Sequence, residues 1–154
     1  MKKKIIIFSS IFIFLDQVIK LIVRSTIMGK DIYVIPKFFY VTGIKNTGGA
    51  FSILSNNTIL LALIGLIILA GLIYYLKDKE LNKIEIIAYS LLIGGIIGNF
   101  IDRVVFNGVY DYLGFIFGSY YFPVFNLADI GIVISVLILI VLEIKGDKDE
   151  NRSR

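Results

Sequence analysis

Four long apolar runs constrain this chain more than any other feature of its sequence. They cover about residues 5–23, 58–76, 84–101 and 127–144. A helix needs about 20 apolar residues to cross the hydrocarbon core of a bilayer, and its backbone is satisfied internally there. Since 57% of the residues are hydrophobic and 18% are charged, the chain is too apolar for an ordinary soluble domain. We predict an all-α membrane protein in which residues 1–154 form one domain with four transmembrane helices.

The connection between the first two runs differs in character from the spans. β-Branched and aromatic residues form two short runs, Ile32–Ile35 and Phe38–Val41, with Pro36 between them. Such runs around a proline are typical of short strands joined by a turn. We therefore predict a small β-lobe over about residues 31–55.

The connection between the third and fourth runs, residues 104–125, is rich in aromatic side chains. Nine tyrosines and phenylalanines fall within residues 106–125, and these residue types concentrate where a membrane meets water. We predict that this connection lies on the membrane surface as a short amphipathic helix.

The basic residues indicate how the spans are oriented. The N-terminal stub, the 77–83 loop and the 145–154 tail together carry 10 lysines and arginines, whereas the two opposite connections carry 5. Because basic residues concentrate in cytoplasmic loops, we predict cytoplasmic termini and an extracytoplasmic β-lobe. We expect no nucleic-acid partner, since the net charge of +4 reflects this asymmetry and the basic residues form no groove-sized patch.

The chain contains no cysteine and no histidine. Their absence from the sequence excludes disulfides, thiolate nucleophiles, imidazole bases and metal sites built from Cys or His. We expect no metal and no cofactor. Any proton transfer must then use carboxylates, lysine, tyrosine or water.

Charged residues inside or beside the spans are the strongest indication of function, because an ionisable group at membrane depth is costly unless it is paired or useful. Asp16 and Lys20 are four residues apart in the first span, so we predict an ion pair on one helix face. Asn99, Asp102 and Arg103 share a face at the outer end of the third span. We expect this second group to orient its neighbours by hydrogen bonding.

Two further carboxylates, Asp111 and Asp129, flank the aromatic connection, and each has two interpretations. Asp129 fits the start of a helix, with Asn126 as the N-cap and the carboxylate three residues later. Asp111 fits a solvated residue after the Asn107-Gly108 turn. If the two carboxylates converge, they share a proton, so that one deprotonates a water while the other donates to a substrate carbonyl, as in an aspartic peptidase. The residues alone leave both interpretations open.

At these positions the sequence resembles the lipoprotein signal peptidases, also called signal peptidase II. The resemblance implies a multi-pass protein of the bacterial cell membrane with four helices and a small extracytoplasmic β-lobe. It also implies diacylglyceryl-modified prolipoprotein substrates and membrane lipid as partners, and we expect a monomer. The five motifs, in the family's order, are Asp16-Gln17-x-x-Lys20, Asn46-x-Gly48-Gly49-Ala50-Phe51, Gly94-Gly95-x-x-Gly98-Asn99-x-x-Asp102-Arg103, Gly108-Val109-x-Asp111 and Phe125-Asn126-x-Ala128-Asp129.

The resemblance implies a reaction and residue roles as well. The reaction is removal of a signal peptide on the N-terminal side of the modified cysteine, with Asp111 and Asp129 as the catalytic pair. The chain departs from the family's usual pattern in places, for example at Tyr112, where the family usually has phenylalanine. The remaining motif residues would bind the substrate or shape the site: Asp16, Lys20, Asn46, Gly48, Asn99, Asp102, Arg103 and Asn126.

Two alternatives remain. A Ser–Lys peptidase would use Lys20, the only lysine within a span, with Ser90 or Ser135, the serines in the middle of spans. A non-enzymatic four-helix membrane protein, such as a small channel or an assembly factor, would use its acids to line a pore or a helix contact.

Overall fold

The computed structural model of the protein describes residues 2–49, 54 and 56–152. Within these residues it has four helices and one sheet of four strands. In chain order the elements are α1 (Lys2–Thr26), β1 (Asp31–Ile35), β2 (Phe39–Asn46), α2 (Thr58–Tyr75), α3 (Lys83–Phe106), β3 (Val109–Phe117), β4 (Tyr120–Tyr121) and α4 (Leu127–Arg152).

The four predicted spans are confirmed as helices that are long and apolar enough to cross a membrane. Their bounds differ from the prediction mainly at polar ends. α3 begins directly after Asn82, whose side chain forms a capping box with Glu85. It ends at Phe106, where Asn107 takes the left-handed conformation with φ 52°. Local hydrogen bonding at the ends therefore extends the helices past the apolar residues that define the spans.

α3 is the central helix, because it packs against each of the other three. Glycines allow α1 to come close to it. A Cβ atom at Gly98 would lie 2.6 Å from Asp16 Oδ2, and one at Gly94 would lie 2.9 Å from the Phe12 ring. Close approach of this kind brings polar side chains of α1 within hydrogen-bond distance of α3.

The sheet is antiparallel, with its strands in the order β1-β2-β3-β4. The predicted strand pair is confirmed in β1 and β2, which a turn at residues 36–38 joins. β2 also pairs with β3, so that Ile44 lies opposite Asp111 and Asn46 lies opposite Val109. This register places the end of β2 beside the carboxylate of Asp111. The last part of the predicted β-lobe, residues 50–53 and 55, lies outside the described residues.

The prediction of an amphipathic helix within residues 104–125 is wrong. After α3 this connection forms β3 and β4 and extends the sheet that β1 and β2 begin. Tyrosine, phenylalanine, valine and isoleucine suit strands, and residues 109–112 are all buried. The aromatic content indicated an interface, but β2 supplies a pairing partner that lies far away in the sequence.

Candidate active site

A buried ion cluster joins α1 to α3. Lys20 Nζ lies 2.8 Å from Asp16 Oδ2 and 3.1 Å from Asp102 Oδ2. It also donates a hydrogen bond to Asn99 Oδ1 at 3.0 Å. The predicted ion pair of Asp16 and Lys20 is confirmed, and Asp102 extends it to three charges. Because Asp16 and Asp102 are both 0% exposed, each depends on this pairing to offset its desolvation.

The oxygens of Asp16 and Asp102 also accept hydrogen bonds from other parts of the chain. The donors are one side chain of α1 and backbone N–H groups at the starts of β3 and α4. The cluster therefore holds together the elements that carry the remaining site residues. The bonds run from Gln17 Nε2 to Asp102 Oδ1 at 3.0 Å, from Tyr110 N to Asp102 Oδ2 at 3.3 Å, and from Ala128 N to Asp16 Oδ1 at 3.0 Å.

The start of α4 is capped as predicted. Asn126 Oδ1 accepts a hydrogen bond from Asp129 N at 2.9 Å, and Asp129 Oδ2 accepts one from Asn126 N at 3.2 Å. This reciprocal pair satisfies two backbone donors that a helix start otherwise leaves unpaired. The helix-start interpretation of Asp129 is therefore confirmed, but it accounts for only one oxygen of the carboxylate.

The two candidate carboxylates, Asp111 on β3 and Asp129 on α4, are joined through asparagine side chains. Asp111 Oδ1 accepts a hydrogen bond from Asn126 Nδ2 at 2.6 Å, and Asp111 Oδ2 accepts one from Asn46 Nδ2 at 3.0 Å. Asp129 Oδ1 accepts one from Asn99 Nδ2 at 2.7 Å. Asn126 thus contacts both carboxylates, through its side-chain amide on Asp111 and its backbone N–H on Asp129.

A second hydrogen bond fixes the orientation of each of these three amides. In every case a donor occupies the amide oxygen, so that the NH₂ group turns toward a carboxylate. Gly48, the predicted glycine of the second motif, supplies one of the donors from its backbone. The donors are Gly48 N on Asn46 Oδ1 at 2.9 Å, Lys20 Nζ on Asn99 Oδ1 at 3.0 Å, and Asp129 N on Asn126 Oδ1 at 2.9 Å.

The environment of Asp111 favours the protonated acid. Its side chain is buried, with 3% of the residue exposed. Burial raises the pKa of Asp111 to about 7, and the charge of Asp129 adds to this effect, while the amides of Asn46 and Asn126 oppose it. Near neutral pH Asp111 is therefore poised to gain or lose a proton.

Comparison with known proteins identifies the family. The family model described as signal peptidase (SPase) II matches residues 8–145. The chain belongs to the signal peptidase II family. Lipoprotein signal peptidase from Bacillus pumilus (strain SAFR-032) is 38% identical over 149 residues, which cover 96% of each chain. Lipoprotein signal peptidase from Staphylococcus aureus (strain MRSA252) is 39% identical over 157 residues, covering 97% of this chain and 96% of the relative.

A solved structure agrees with this assignment to signal peptidase II. It is described as a bacterial membrane enzyme structure obtained by the in meso method at 2.3 Å resolution. It matches with a TM-score of 0.86 and 36% identity, covering 94% of this chain and 90% of that one. The resemblance predicted from the motifs is therefore confirmed. As a member of the signal peptidase II family, the protein is an aspartic-type peptidase, and the non-enzymatic alternative is wrong.

Among the predicted site residues of this signal peptidase II, Arg103 has the weakest hydrogen bonding. Its Nη1 donates to the Asn99 carbonyl oxygen at 3.5 Å. Its Nε is buried and has no hydrogen-bond partner within the described residues. The guanidinium interacts electrostatically with Asp129, Asp111 and Asp102. Arg103 thus places a positive charge and an unused donor beside the carboxylate pair.

The structure does not pair Lys20 with a serine. Ser90 Oγ donates to the Ile86 carbonyl at 2.6 Å, and Ser135 Oγ donates to the Ile132 carbonyl at 2.7 Å. Each hydroxyl is thus bonded within its own helix, while Lys20 Nζ contacts Asp16, Asp102 and Asn99. A Ser–Lys mechanism in this signal peptidase II is therefore wrong.

Two residues that bond to the site of this signal peptidase II were not among the predicted site residues. Gln17 Nε2 reaches Asp102 and the Gly98 carbonyl, at 3.0 and 3.1 Å. The signal for it was its place beside Asp16 in the first motif. Tyr112 was marked in the sequence only as a departure from the family's usual phenylalanine. Its hydroxyl accepts a hydrogen bond from Leu127 N at 3.0 Å, and this partner comes from another element.

Proposed function

We propose that this protein removes the signal peptide from bacterial prolipoproteins, cutting on the N-terminal side of a diacylglyceryl-modified cysteine. We propose Asp111 and Asp129 as its catalytic pair. One observation carries the second part: two carboxylates on different elements, β3 and α4, meet at the same asparagine, Asn126. Membership of the signal peptidase II family supports the first part, because relatives with this length and identity are named lipoprotein signal peptidases.

The proposed reaction uses one proton shared by the pair. The ionised carboxylate takes a proton from a water, whose oxygen attacks the carbonyl carbon of the scissile peptide bond. The protonated carboxyl donates its proton to the carbonyl oxygen. Collapse of the tetrahedral intermediate breaks the C–N bond: the protonated carboxyl gives its proton to the leaving amine, and the other carboxylate takes a proton from a hydroxyl of the intermediate. No covalent intermediate with the enzyme forms, and the pair ends the cycle with one proton, as it began.

The other predicted residues have supporting roles in this proposal. Asn46, Asn99 and Asn126 present fixed N–H donors to the pair, which preorganises it before the substrate binds. Arg103 offers its unused Nε–H to a carbonyl oxygen of the substrate. The ion cluster and the Gly48 backbone act indirectly: they hold in place the elements and the amide side chains that contact the carboxylates. The cluster consists of Asp16, Lys20 and Asp102.

We further propose that both termini are cytoplasmic and that the site lies at the extracytoplasmic face. The basic residues support this orientation. Lys2 Nζ donates to the Lys77 carbonyl, so the start of α1 lies beside the 77–82 loop, at one end of the helices. A reporter fused after Arg154 should give a cytoplasmic signal, and one inserted beside Asn56 an extracytoplasmic signal. The opposite pair of signals would contradict the orientation.

Substitution of the pair tests the catalytic proposal. Asp111→Asn and Asp129→Asn keep the shape of each side chain but remove its proton transfer. We expect cleavage of a lipid-modified precursor by either purified variant to be undetectable, while thermal unfolding in detergent stays cooperative. Asp31→Asn is the matched control, because Asp31 lies on β1 of the same sheet and is exposed. Near-normal turnover by Asp111→Asn or Asp129→Asn would contradict the aspartic pair.

The pH dependence of the wild-type enzyme gives a second test. Since the pKa of Asp111 is raised to about 7, the pair keeps its shared proton below this pH and loses it above. We therefore expect kcat/KM to fall as the pH rises through about 7. A rate profile that stays flat from pH 6 to pH 8 would show that no such proton is required.

A further inference from the structure

The first turn of α4 is held by side chains from two other elements. The first four backbone N–H groups at a helix start have no partner within the helix. Here a side-chain oxygen accepts a hydrogen bond from each of the four. Two of the acceptors come from α1 and β3, and two come from the capping box. The pairs are Asn126 N with Asp129 Oδ2 at 3.2 Å, Leu127 N with Tyr112 Oη at 3.0 Å, Ala128 N with Asp16 Oδ1 at 3.0 Å, and Asp129 N with Asn126 Oδ1 at 2.9 Å.

Two consecutive residues of β3 accept hydrogen bonds from two consecutive residues of this turn. Asp111 Oδ1 accepts from the Asn126 side chain, and the Tyr112 hydroxyl accepts from the Leu127 backbone. The Phe125 carbonyl accepts from the backbone N–H of Tyr112 at 3.1 Å. These bonds connect β3, which carries one carboxylate, to the turn that carries the other. Since Leu127 lies two residues before Asp129, a shift of this turn would move the second carboxylate relative to the first.

We propose that Tyr112 is a positioning residue of the carboxylate pair: its hydroxyl holds the first turn of α4 on β3 and so sets the separation of Asp111 and Asp129. The proposal rests on the proposed function of this pair. The residue is 5% exposed, so water cannot readily replace the hydroxyl as an acceptor for Leu127 N.

The Tyr112 hydroxyl itself stays neutral. Burial raises the pKa of Tyr112 above its ordinary value. The hydrogen bond from Leu127 N opposes this effect, and the charges of Asp16, Asp129 and Asp111 add to it. It therefore acts through its oxygen as an acceptor and does not take part in proton transfer. Among the described residues, Lys20 on α1, Arg103 on α3 and Tyr112 on β3 interact electrostatically with the pair. Asp102 on α3 interacts with Arg103, and Asp16 on α1 interacts with Tyr112.

Tyr112→Phe removes the hydroxyl and leaves the ring. A net hydrogen bond contributes about 0.5–1.5 kcal/mol, so we expect kcat to fall roughly two- to tenfold with KM unchanged. The larger separation of the carboxylates weakens their repulsion, so the pH at which kcat/KM falls should move down. Tyr40→Phe is the matched control: Tyr40 is buried on the neighbouring strand β2, and its ring contacts Tyr33. We expect it to keep wild-type kcat and the wild-type pH profile.

A second variant removes the donor instead of the acceptor. Leu127→Pro has no backbone N–H, and proline is well suited to the first position of a helix. If Tyr112 acts through Leu127 N, adding Tyr112→Phe to Leu127→Pro should lower kcat no further. Additive losses in this double-mutant cycle would contradict the proposal. If Leu127→Pro does not fold, the kcat and pH profile of Tyr112→Phe decide alone.

The outcomes separate this inference from the proposed function. Wild-type kcat and an unchanged pH profile for Tyr112→Phe would overturn the positioning role, and so would a loss that only follows a lower melting temperature without a shift of the profile. Neither result touches the catalytic pair. Turnover by Asp111→Asn would overturn the pair itself, whatever Tyr112→Phe does.

Discussion

α1 and α2 are both apolar enough to span a membrane, yet they are built into the protein in different ways. The buried residues of α1 include Ser9, Asp16 and Lys20, and these contact α3 and α4. The buried residues of α2 are Thr58 and Ala62, and its main packing partner is α3. Buried charges fix α1 to its neighbours, whereas α2 carries no charged residue.

The difference shows what specifies a helix position in lipid. Apolar side chains gain little by leaving lipid for another apolar surface, so composition alone selects a span but no neighbour. A buried carboxylate or ammonium selects its partner, because an unpaired charge there is very costly. In α1 the cluster around Lys20 selects α3 through Asp102 and α4 through Ala128 N.

Removal of the central cation should have the largest effect on this arrangement. Lys20→Met leaves Asp16 and Asp102 buried without a cation, and breaking a buried pair in this way costs about 3–5 kcal/mol. We expect a large drop in the thermal unfolding temperature in detergent. Turnover should fall but remain measurable, unlike that of Asp111→Asn.

Two variants control this experiment. Lys30→Met makes the same change at an exposed position and should not alter unfolding. Asp16→Asn combined with Lys20→Met should be no less stable than Lys20→Met alone, because the double variant leaves only Asp102 without a cation, whereas Lys20→Met leaves both carboxylates so. Complete loss of turnover by a thermally normal Lys20→Met enzyme would mean that Lys20 takes part in the chemistry.

A glycine substitution at the contact between α1 and α3 should have a smaller effect. Its comparison with a glycine substitution on α2 tests how differently the two helices are packed. In Gly98→Ala the new Cβ would lie 2.6 Å from Asp16 Oδ2, which forces α1 and α3 apart. Overpacking of this kind costs about 1–3 kcal/mol. The unfolding temperature should fall, and turnover should fall with it.

Gly71→Ala on α2 is the matched substitution and should have the smallest effect. Apart from the nearby backbone of α2 itself and the two neighbouring residues, no atom of the described residues lies within 4 Å of the position that its Cβ would occupy. We therefore expect the unfolding temperature to stay the same or rise slightly, because alanine favours a helix. A loss as large as that of Gly98→Ala would show that α2 packs more tightly than its exposed surface indicates.

Local patterns predicted the parts of this structure that depend on neighbours in sequence. The spans follow from apolar length, the Asp16–Lys20 pair from helix spacing, and the capping box of α4 from Asn126 and Asp129. The motif resemblance predicted the family and implied that Asp111 and Asp129 act as one catalytic pair. Their assignment as catalytic residues stays a prediction until the variants are measured.

Contacts between distant residues could not be predicted in the same way. The sequence of β3 was interpreted as an interfacial segment, because no alternation of polar and apolar residues marks it as a strand. Both faces of residues 109–112 are buried in the structure, and the strand is recognised only from its pairing with β2. The bonds from Asp16 to Ala128 N and from Lys20 to Asn99 join different helices. Neither spacing nor propensity contains that information.

The pairing of β2 with β3 has a consequence for synthesis of the protein. β2 leaves the ribosome before α2, and β3 only after α3, so the two strands can pair only after both helices have been synthesised. α1 enters the membrane with Asp16 and Lys20 already able to pair, because both lie on one helix. Asp129 arrives last, on α4. A nascent chain that ends before α4 therefore lacks one carboxylate of the proposed pair.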